Sequence, residues 1–350
     1  MLREDHDLAF MLRYENVAWY ENGKVKILDR RVYPTEVKFV ICNTHVEVAH
    51  AIADMVTQSA GPYTAAGMGM ALAAYECKNM GKEDMWKYLE KAAYTLAHAR
   101  PTTVNRMSQV TRGCLRAAKT AIEEDGKVDE EIFEHTIDSL NRRYSTMEKV
   151  AEYLVDMFPH KGNVMTQCFG ETIVGMMLRV TKKRNKEIKL FVPETRPYLQ
   201  GARLTASVAY DQGFDTTVIT DNMPAYTMVT KKIDLFTSAA DAICMDGHVV
   251  NKIGTYQIAI VAKYHGIPYF VTGIPDAEYE TISEVTIEER NPNLVLEARG
   301  KKNTMEGVKG YYPSFDITPP SLVSGVVTDR GIFVPYDLHR YFEDETGEFY

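Results

Sequence analysis

The spacing of apolar positions along this chain changes character twice. From Ala9 to Val32 short runs alternate apolar and polar residues around Glu21-Asn22-Gly23-Lys24, and Asn-Gly between two such runs predicts a β-hairpin. From about His45 to Tyr153 the spacing becomes helical, most regularly over Val46 to Val56, Ala65 to Met80, Met85 to His98 and Ile132 to Leu154. After His160-Lys161-Gly162 five short apolar runs alternate with helix-length amphipathic segments: Asn163 to Gln167, Lys189 to Pro193, Thr216 to Thr220, Leu235 to Ala240 and Pro268 to Thr272. Such alternation predicts a parallel sheet. The pattern gives an α/β protein of two domains: residues 1–155, a β-hairpin followed by a smaller, mainly helical domain, and residues 156–350, an open parallel-sheet domain.

Length agrees, since 350 residues are more than one hydrophobic core comfortably organises. The formal net charge of −8, with no basic block, argues against a nucleic-acid partner, which would need many Lys and Arg contacts to phosphates. A small anionic ligand needs only a local cationic pocket. Five cysteines without CxxC spacing point to a reducing compartment and to no metal site. The start, Met1-Leu2-Arg3-Glu4-Asp5-His6-Asp7, is too charged for a signal peptide, and no apolar run reaches membrane-spanning length, so the expected location is the cytoplasm. The charged stretch from Glu123 to Glu131 reads as a solvated loop leading into a helix.

Open parallel sheets bind ligands beyond the carboxyl ends of their strands. Those positions hold Cys168, Glu194, Thr195, Arg196, Asp221 and Asp241. A strand-to-helix junction at Cys168 would lower its pKa and make it a better base or nucleophile, although most buried thiols are inert. Asp241 lies among Ala239, Ala240, Ala242 and Ile243, an apolar setting that would raise a carboxyl pKa and suit a general acid; a helix cap or salt bridge is the plainer role. The segment from Glu194 to Thr205 opens a helix after a strand, which points N–H groups and the cations Arg196 and Arg203 at an anion such as phosphate. Equally, the two arginines could pair with Glu194 and Asp211. Asn251-Lys252-Ile253-Gly254-Thr255 repeats the arrangement with Lys252 as a point charge, or as a simple capped helix. Arg100-Pro101-Thr102-Thr103-Val104-Asn105 reads as a turn between helices. Gly67-Met68-Gly69 lacks the third glycine and the preceding strand of a dinucleotide loop, so helix packing explains it.

Taken together, these segments resemble the S-methyl-5-thioribose-1-phosphate isomerase family, which is related to regulatory subunits of translation initiation factor 2B and to ribose-1,5-bisphosphate isomerases. The resemblance runs from about Leu12 to Leu338. Its most specific parts are Glu194-Thr195-Arg196-Pro197 with Gln200-Gly201-Ala202-Arg203-Leu204-Thr205, then Thr220-Asp221-Asn222-Met223, then Asn251-Lys252-Ile253-Gly254-Thr255-Tyr256. Arg100-Pro101-Thr102, Glu288-Glu289-Arg290-Asn291-Pro292 and Phe315-Asp316-Ile317-Thr318-Pro319 support it.

The resemblance implies a Rossmann-like carboxyl-terminal domain, a homodimer, a site between domains and an aldose–ketose isomerisation in methionine salvage that needs no cofactor. It implies Cys168 and Asp241 as the catalytic pair, and Arg100, Gln200, Asn251 and Lys252 as contacts to a sugar phosphate. Glu194, Arg196, Arg203 and Asp221 would support them. The expected chemistry has a neutral Asp241 protonate the ring oxygen while a Cys168 thiolate exchanges the carbon-bound proton. The chain also departs from the family pattern. Gln58-Ser59-Ala60-Gly61-Pro62 stands where the family's phosphate loop reads Arg-Gly-Ala-Pro, which makes Gln58 and Ser59 the phosphate-loop positions without the arginine. Ala239-Ala240-Asp241-Ala242 replaces Gly-Ala-Asp-Arg, Phe169-Gly170-Glu171 replaces Asn-Ala-Gly, and Tyr226 replaces a His. These changes point to a related substrate, such as a 5-deoxypentose 1-phosphate, or to a non-catalytic sensor of a sugar phosphate or nucleotide. Arg106 and Arg112 are candidate stand-ins for the missing arginine, and both also read as surface residues of a helix.

Overall fold

The computed structural model describes residues 3–100 and 104–343. Its first compact unit ends at Thr146 and its second begins at Met147. In the first unit, strands β1 (Ala18–Glu21) and β2 (Lys24–Leu28) pair antiparallel across Asn22-Gly23. Both turn residues have positive φ, 50° and 71°, as a two-residue turn matching the strand twist requires. Strand β3 (Phe39–Cys42) joins β2 on its other edge. A short helix α1 (Tyr14–Val17) precedes the hairpin, and α2 (His45–Ala53), α3 (Gly61–Glu76), α4 (Lys82–Ala97), α5 (Val104–Glu123) and α6 (Val128–Asp156) follow it. The units divide inside α6, whose apolar periodicity continues across the division to Leu154.

Helix α3 is buried along nearly its whole length, so it forms the axis of this unit rather than an amphipathic wall. Its glycines explain themselves by packing. A Cβ on Gly67 would lie 2.6 Å from Thr136 Cγ2, and one on Gly69 would lie 3.0 Å from Val48 and Leu96, so neighbouring helices press on the α3 backbone.

The second unit alternates strands and helices, beginning with β4 (Lys161–Thr166), α7 (Thr172–Lys183) and β5 (Glu187–Pro193). A wide turn over Gly201–Thr205 leads into α8 (Ala206–Asp211), then β6 (Thr216–Ile219), α9 (Pro224–Thr230) and β7 (Leu235–Ala239). Next come β8 (Ala242–Ile243), β9 (Val249–Lys252), α10 (Thr255–Tyr264) and β10 (Tyr269–Thr272). The chain continues through β11 (Glu297–Ala298), β12 (Lys301–Lys302), β13 (Phe315–Thr318), β14 (Gly325–Thr328) and β15 (Gly331–Phe333). Seven strands form one sheet in the order β15-β14-β10-β7-β4-β5-β6, parallel except for β15.

Read from β6 to β14, the parallel strands follow the doubly wound order of Rossmann-type sheets, with the reversal of direction between β4 and β7. Met165, Phe236, Ile258, Tyr269, Val271 and Val326 fill the core beside it, and Phe236 stacks on Tyr269 at 4.4 Å. Burying a side chain such as Phe236 contributes about 2–3 kcal/mol, which is why the apolar runs seek the sheet interior. A separate three-stranded antiparallel sheet, β13-β9-β8, grows from the chain just after β7. The sequence pattern did not show it, because its strands are only two to four residues long and include polar side chains such as Asn251, Lys252 and Asp316.

Candidate active site

The crevice between β4 and β7 is the topological switch point, and two polar segments leave the sheet there. Thr166 of β4 pairs with Thr237 of β7, so Cys168 and Asp241 emerge from neighbouring strand ends. Strand β8 begins directly after Asp241, whose N–H donates to the Val250 carbonyl at 2.8 Å and ties it to β9. Gln167 donates through Nε2 to the Ile253 carbonyl at 3.2 Å, drawing the end of β4 to the same turn. These links bring Lys252 toward Cys168 from the small sheet.

Cys168 is buried and has φ of +57°, a conformation that favours glycine. The Thr205 hydroxyl donates to its carbonyl. Glu171 and Thr195, also with positive φ at 39° and 65°, follow β4 and β5. Outliers of this kind gathered at strand ends mark a functional site, because the surroundings must hold them against their local preference. At Thr195 the holding group is the Asp221 carboxylate, which accepts the N–H groups of Thr195 at 2.8 Å and Arg196 at 2.7 Å. Gln257 Nε2 in turn donates to the Asp221 carbonyl at 3.0 Å.

Burial pushes the Cys168 thiol up to about 11; Lys252 pulls it down and Asp241 pushes it further up, which places both charges within electrostatic reach of the sulfur. The expectation of a thiol activated by a helix start is overturned here: loss of hydration outweighs any helix dipole, and Cys168 is protonated at neutral pH. Iodoacetamide labelling of Cys168, read by peptide mass spectrometry at pH 8, is therefore expected to run about 100-fold more slowly than that of a free cysteine. A rate equal to the free thiol's would contradict the buried, protonated state. Asp241 is exposed, so the apolar setting read from its alanine neighbours is not realised around its side chain.

Lys252 is buried with its ammonium 4.3 Å from the centre of the Phe315 ring, and Asn251 beside it donates through Nδ2 to the Thr255 hydroxyl at 3.0 Å. Opposite them in the register of β9 and β13 lies Asp316. Its carboxylate accepts the N–H of Gly254 at 2.7 Å and of Tyr256 at 3.1 Å, and burial raises it to about 6. Asp316 thus holds the start of α10. The sequence carried its signal only as part of Phe315-Asp316-Ile317-Thr318-Pro319, where nothing local assigned it a task.

Gln200 is buried at the start of the wide turn, and its Oε1 has no partner. An unmet buried acceptor beside the strand ends suits a donor on a ligand. Arg196 does not point to an anion: it donates to the carbonyls of Leu294 at 3.2 Å and Glu297 at 2.7 Å. Arg203 donates twice to the Tyr198 carbonyl, at 3.0 and 2.6 Å. Both arginines brace loops, and the N–H groups expected to meet a ligand anion after β5 are taken by Asp221. Glu194, half-buried near Asp221, is held above the usual carboxylate range by burial and by that neighbouring charge.

Gln58, Ser59 and Arg100 belong to the first unit. Gln58 is buried, donates through Nε2 to the Met55 carbonyl at 3.2 Å, and leaves Oε1 without a partner. Ser59 is exposed with φ of +60°, and Arg100 is half-buried; Pro101 to Thr103 of its motif lie outside the described residues. Of the suggested stand-ins for a loop arginine, Arg112 is exposed and Arg106 half-buried on α5. No group of three or more His, Cys, Asp or Glu among the described residues could hold a metal ion, and no helix among them is long and apolar enough to cross a membrane.

Residues 58–335 match the model of the initiation factor 2 subunit family. The chain belongs to this family. A methylthioribose-1-phosphate isomerase of Thermosipho africanus is 33% identical to it over 335 residues, covering 91% of this chain and 95% of the relative. The crystal structure of 5-methylthioribose 1-phosphate isomerase from Pyrococcus horikoshii superposes with a TM-score of 0.80 at 31% identity, covering 95% of this chain and 98% of that one. The structure described as translation initiation factor eIF-2B, subunit delta, from A. fulgidus gives 0.78, also at 31% identity, over 91% and 96% of the two chains. Along most of its length this chain is therefore similar both to enzymes and to a protein named for translation, on a mixed α/β fold dominated by a parallel sheet.

Proposed function

We propose that this chain is an aldose–ketose isomerase that converts a pentose-type sugar 1-phosphate to the ketose 1-phosphate without a cofactor. S-methyl-5-thioribose 1-phosphate is the substrate that fits the isomerase relatives' names, and a close analogue such as 5-deoxyribose 1-phosphate is the other candidate. The reading is supported by the emergence of Cys168 and Asp241 from neighbouring strand ends at the switch point of the sheet, with Lys252 in electrostatic reach of the sulfur. Lys252, Asn251 and Gln200 are the proposed contacts to the sugar phosphate, and Gln58, Ser59 and Arg100 are the further contacts that the resemblance implies. A cytoplasmic homodimer is the proposed working form.

The protonated thiol changes the order of events from the one the motif suggests. Cys168 starts as the acid and gives its proton to the ring oxygen as the C1–O bond opens. The thiolate so formed, steadied by Lys252, takes the proton from C2 and returns it to C1. Asp241 receives the proton of the O2 hydroxyl as C2 becomes a carbonyl, and passes it back to the sulfur to restore the starting state. A second reading, a non-catalytic sensor of a sugar phosphate or nucleotide, draws on Gln58 in place of a phosphate-binding arginine and on the likeness to a translation-factor subunit. A panel of aldose 1-phosphates decides between them. The isomerase yields a ketose phosphate from at least one member, whereas binding without any ketose product supports the sensor.

A further inference from the structure

We propose that the first unit carries an anion site of its own, a pocket between α3, α5 and α6 in which Arg143 receives a phosphate group. It goes beyond the isomerase reading and does not depend on it. The pocket is small, about 20 Å³, and partly open to solvent, so it admits only a compact group. Arg143, Tyr63, Thr64, His135, Thr136 and Ser139 line it.

Arg143 is 95% buried by its 5% exposure, yet no carboxylate among the described residues pairs with it. Its guanidinium makes only two long hydrogen bonds, to the Ala60 carbonyl at 3.4 Å and the Thr64 hydroxyl at 3.2 Å, and its Nε has no partner. Two other buried arginines face carboxylates, Arg179 with Glu148 at 3.4 Å and Arg290 with Glu288 at 2.9 Å, whereas Arg30 donates to the carbonyls of Gln58 and Met11. A guanidinium taken out of water without an anion is costly, and an arriving oxyanion would meet its planar fork with charge-assisted bonds. The Thr64 hydroxyl, the Ser139 hydroxyl and the His135 ring add polar groups to the same wall. Thr64 also lies in the first turn of α3, a 16-residue helix whose dipole favours negative charge there.

The position is informative as well. Ala60, whose carbonyl Arg143 touches, is two residues from Gln58, one of the proposed substrate contacts. Neither Arg106 nor Arg112 lines the pocket.

Arsenate serves as a tetrahedral probe whose anomalous scattering locates it in crystals of the full chain. A peak within hydrogen-bond distance of the Arg143 guanidinium is expected. In solution, inorganic phosphate binding measured by calorimetry should weaken roughly tenfold or more at this site in Arg143→Met, and less in Arg143→Lys, which keeps the charge without the fork. If the methionine variant does not fold, the lysine variant and the arsenate peak still decide. Arsenate bound only elsewhere, together with phosphate affinity unchanged in the folded variants, would overturn the site. Two sources of the phosphate are separated by kinetics: a KM for the sugar phosphate raised about tenfold in Arg143→Lys identifies the substrate's own phosphate, and an unchanged KM with weakened phosphate binding identifies a separate phosphorylated ligand. Failure of the chain to turn over any aldose 1-phosphate would leave the arsenate and phosphate results standing on their own.

Discussion

Replacing Cys168 by serine is expected to lower turnover of the sugar 1-phosphate by about 10²- to 10⁴-fold, the range in which a positioned acid–base group contributes. The hydroxyl keeps the size and can still form hydrogen bonds, but it cannot give up its proton to the ring oxygen and then take one from C2 as readily as a thiol. Asp241→Asn is expected to fall in the same range, because the amide cannot accept the O2 proton. The two defects should not multiply in the double variant, since the groups act in one relay. Circular dichroism of both variants should match the parent, as Asp241 is exposed and the serine adds no bulk. Full activity in either variant would remove the pair from the reaction and with it the isomerase chemistry assigned here.

Gly201→Ala tests the scaffold instead of the chemistry. A Cβ at Gly201 would stand 1.9 Å from the Pro193 carbonyl oxygen and 2.9 Å from the Thr195 hydroxyl, so the wide turn after β5 closes onto the strand end only without a side chain there. Because the obstacle is backbone, neighbouring side chains cannot relieve it by turning. A loss of about 3 kcal/mol or more in urea unfolding is expected, at the high end for an overpacked site. Gln200 and Thr205 flank this turn, and Thr205 holds the Cys168 carbonyl, so residual folded protein should also turn over slowly. Parental stability would mean that the close approach of β5 and the turn does not exist in solution.

Much of this fold is readable in the local pattern. The Asn22-Gly23 turn, the helical spacing between His45 and Tyr153 and the apolar runs of β4, β5, β6, β7 and β10 each report on a stretch of chain in which neighbouring residues share one environment. Helix α5 was less visible, although Met107, Val110, Cys114, Ala118 and Ala121 form a buried stripe, because the charged and polar residues between them dilute it. The small sheet of β8, β9 and β13 escaped notice for a different reason. Its β13 joins β9 from more than sixty residues away, and no local period records such a pairing.

By itself the sequence determined most element types, the strand ends that carry polar residues, and the identities of Cys168, Asp241, Asn251 and Lys252 as the residues to test. Only the tertiary structure decided what those residues are physically. Burial and the nearby Asp241 outweigh Lys252 and keep Cys168 protonated, Asp221 takes the N–H groups that a ligand anion was expected to meet, and Arg196 and Arg203 turn to backbone carbonyls. The division has one cause. Periodicity is a property of adjacent residues, whereas hydration and electrostatic potential at a side chain are set by groups that the fold brings from elsewhere in the chain.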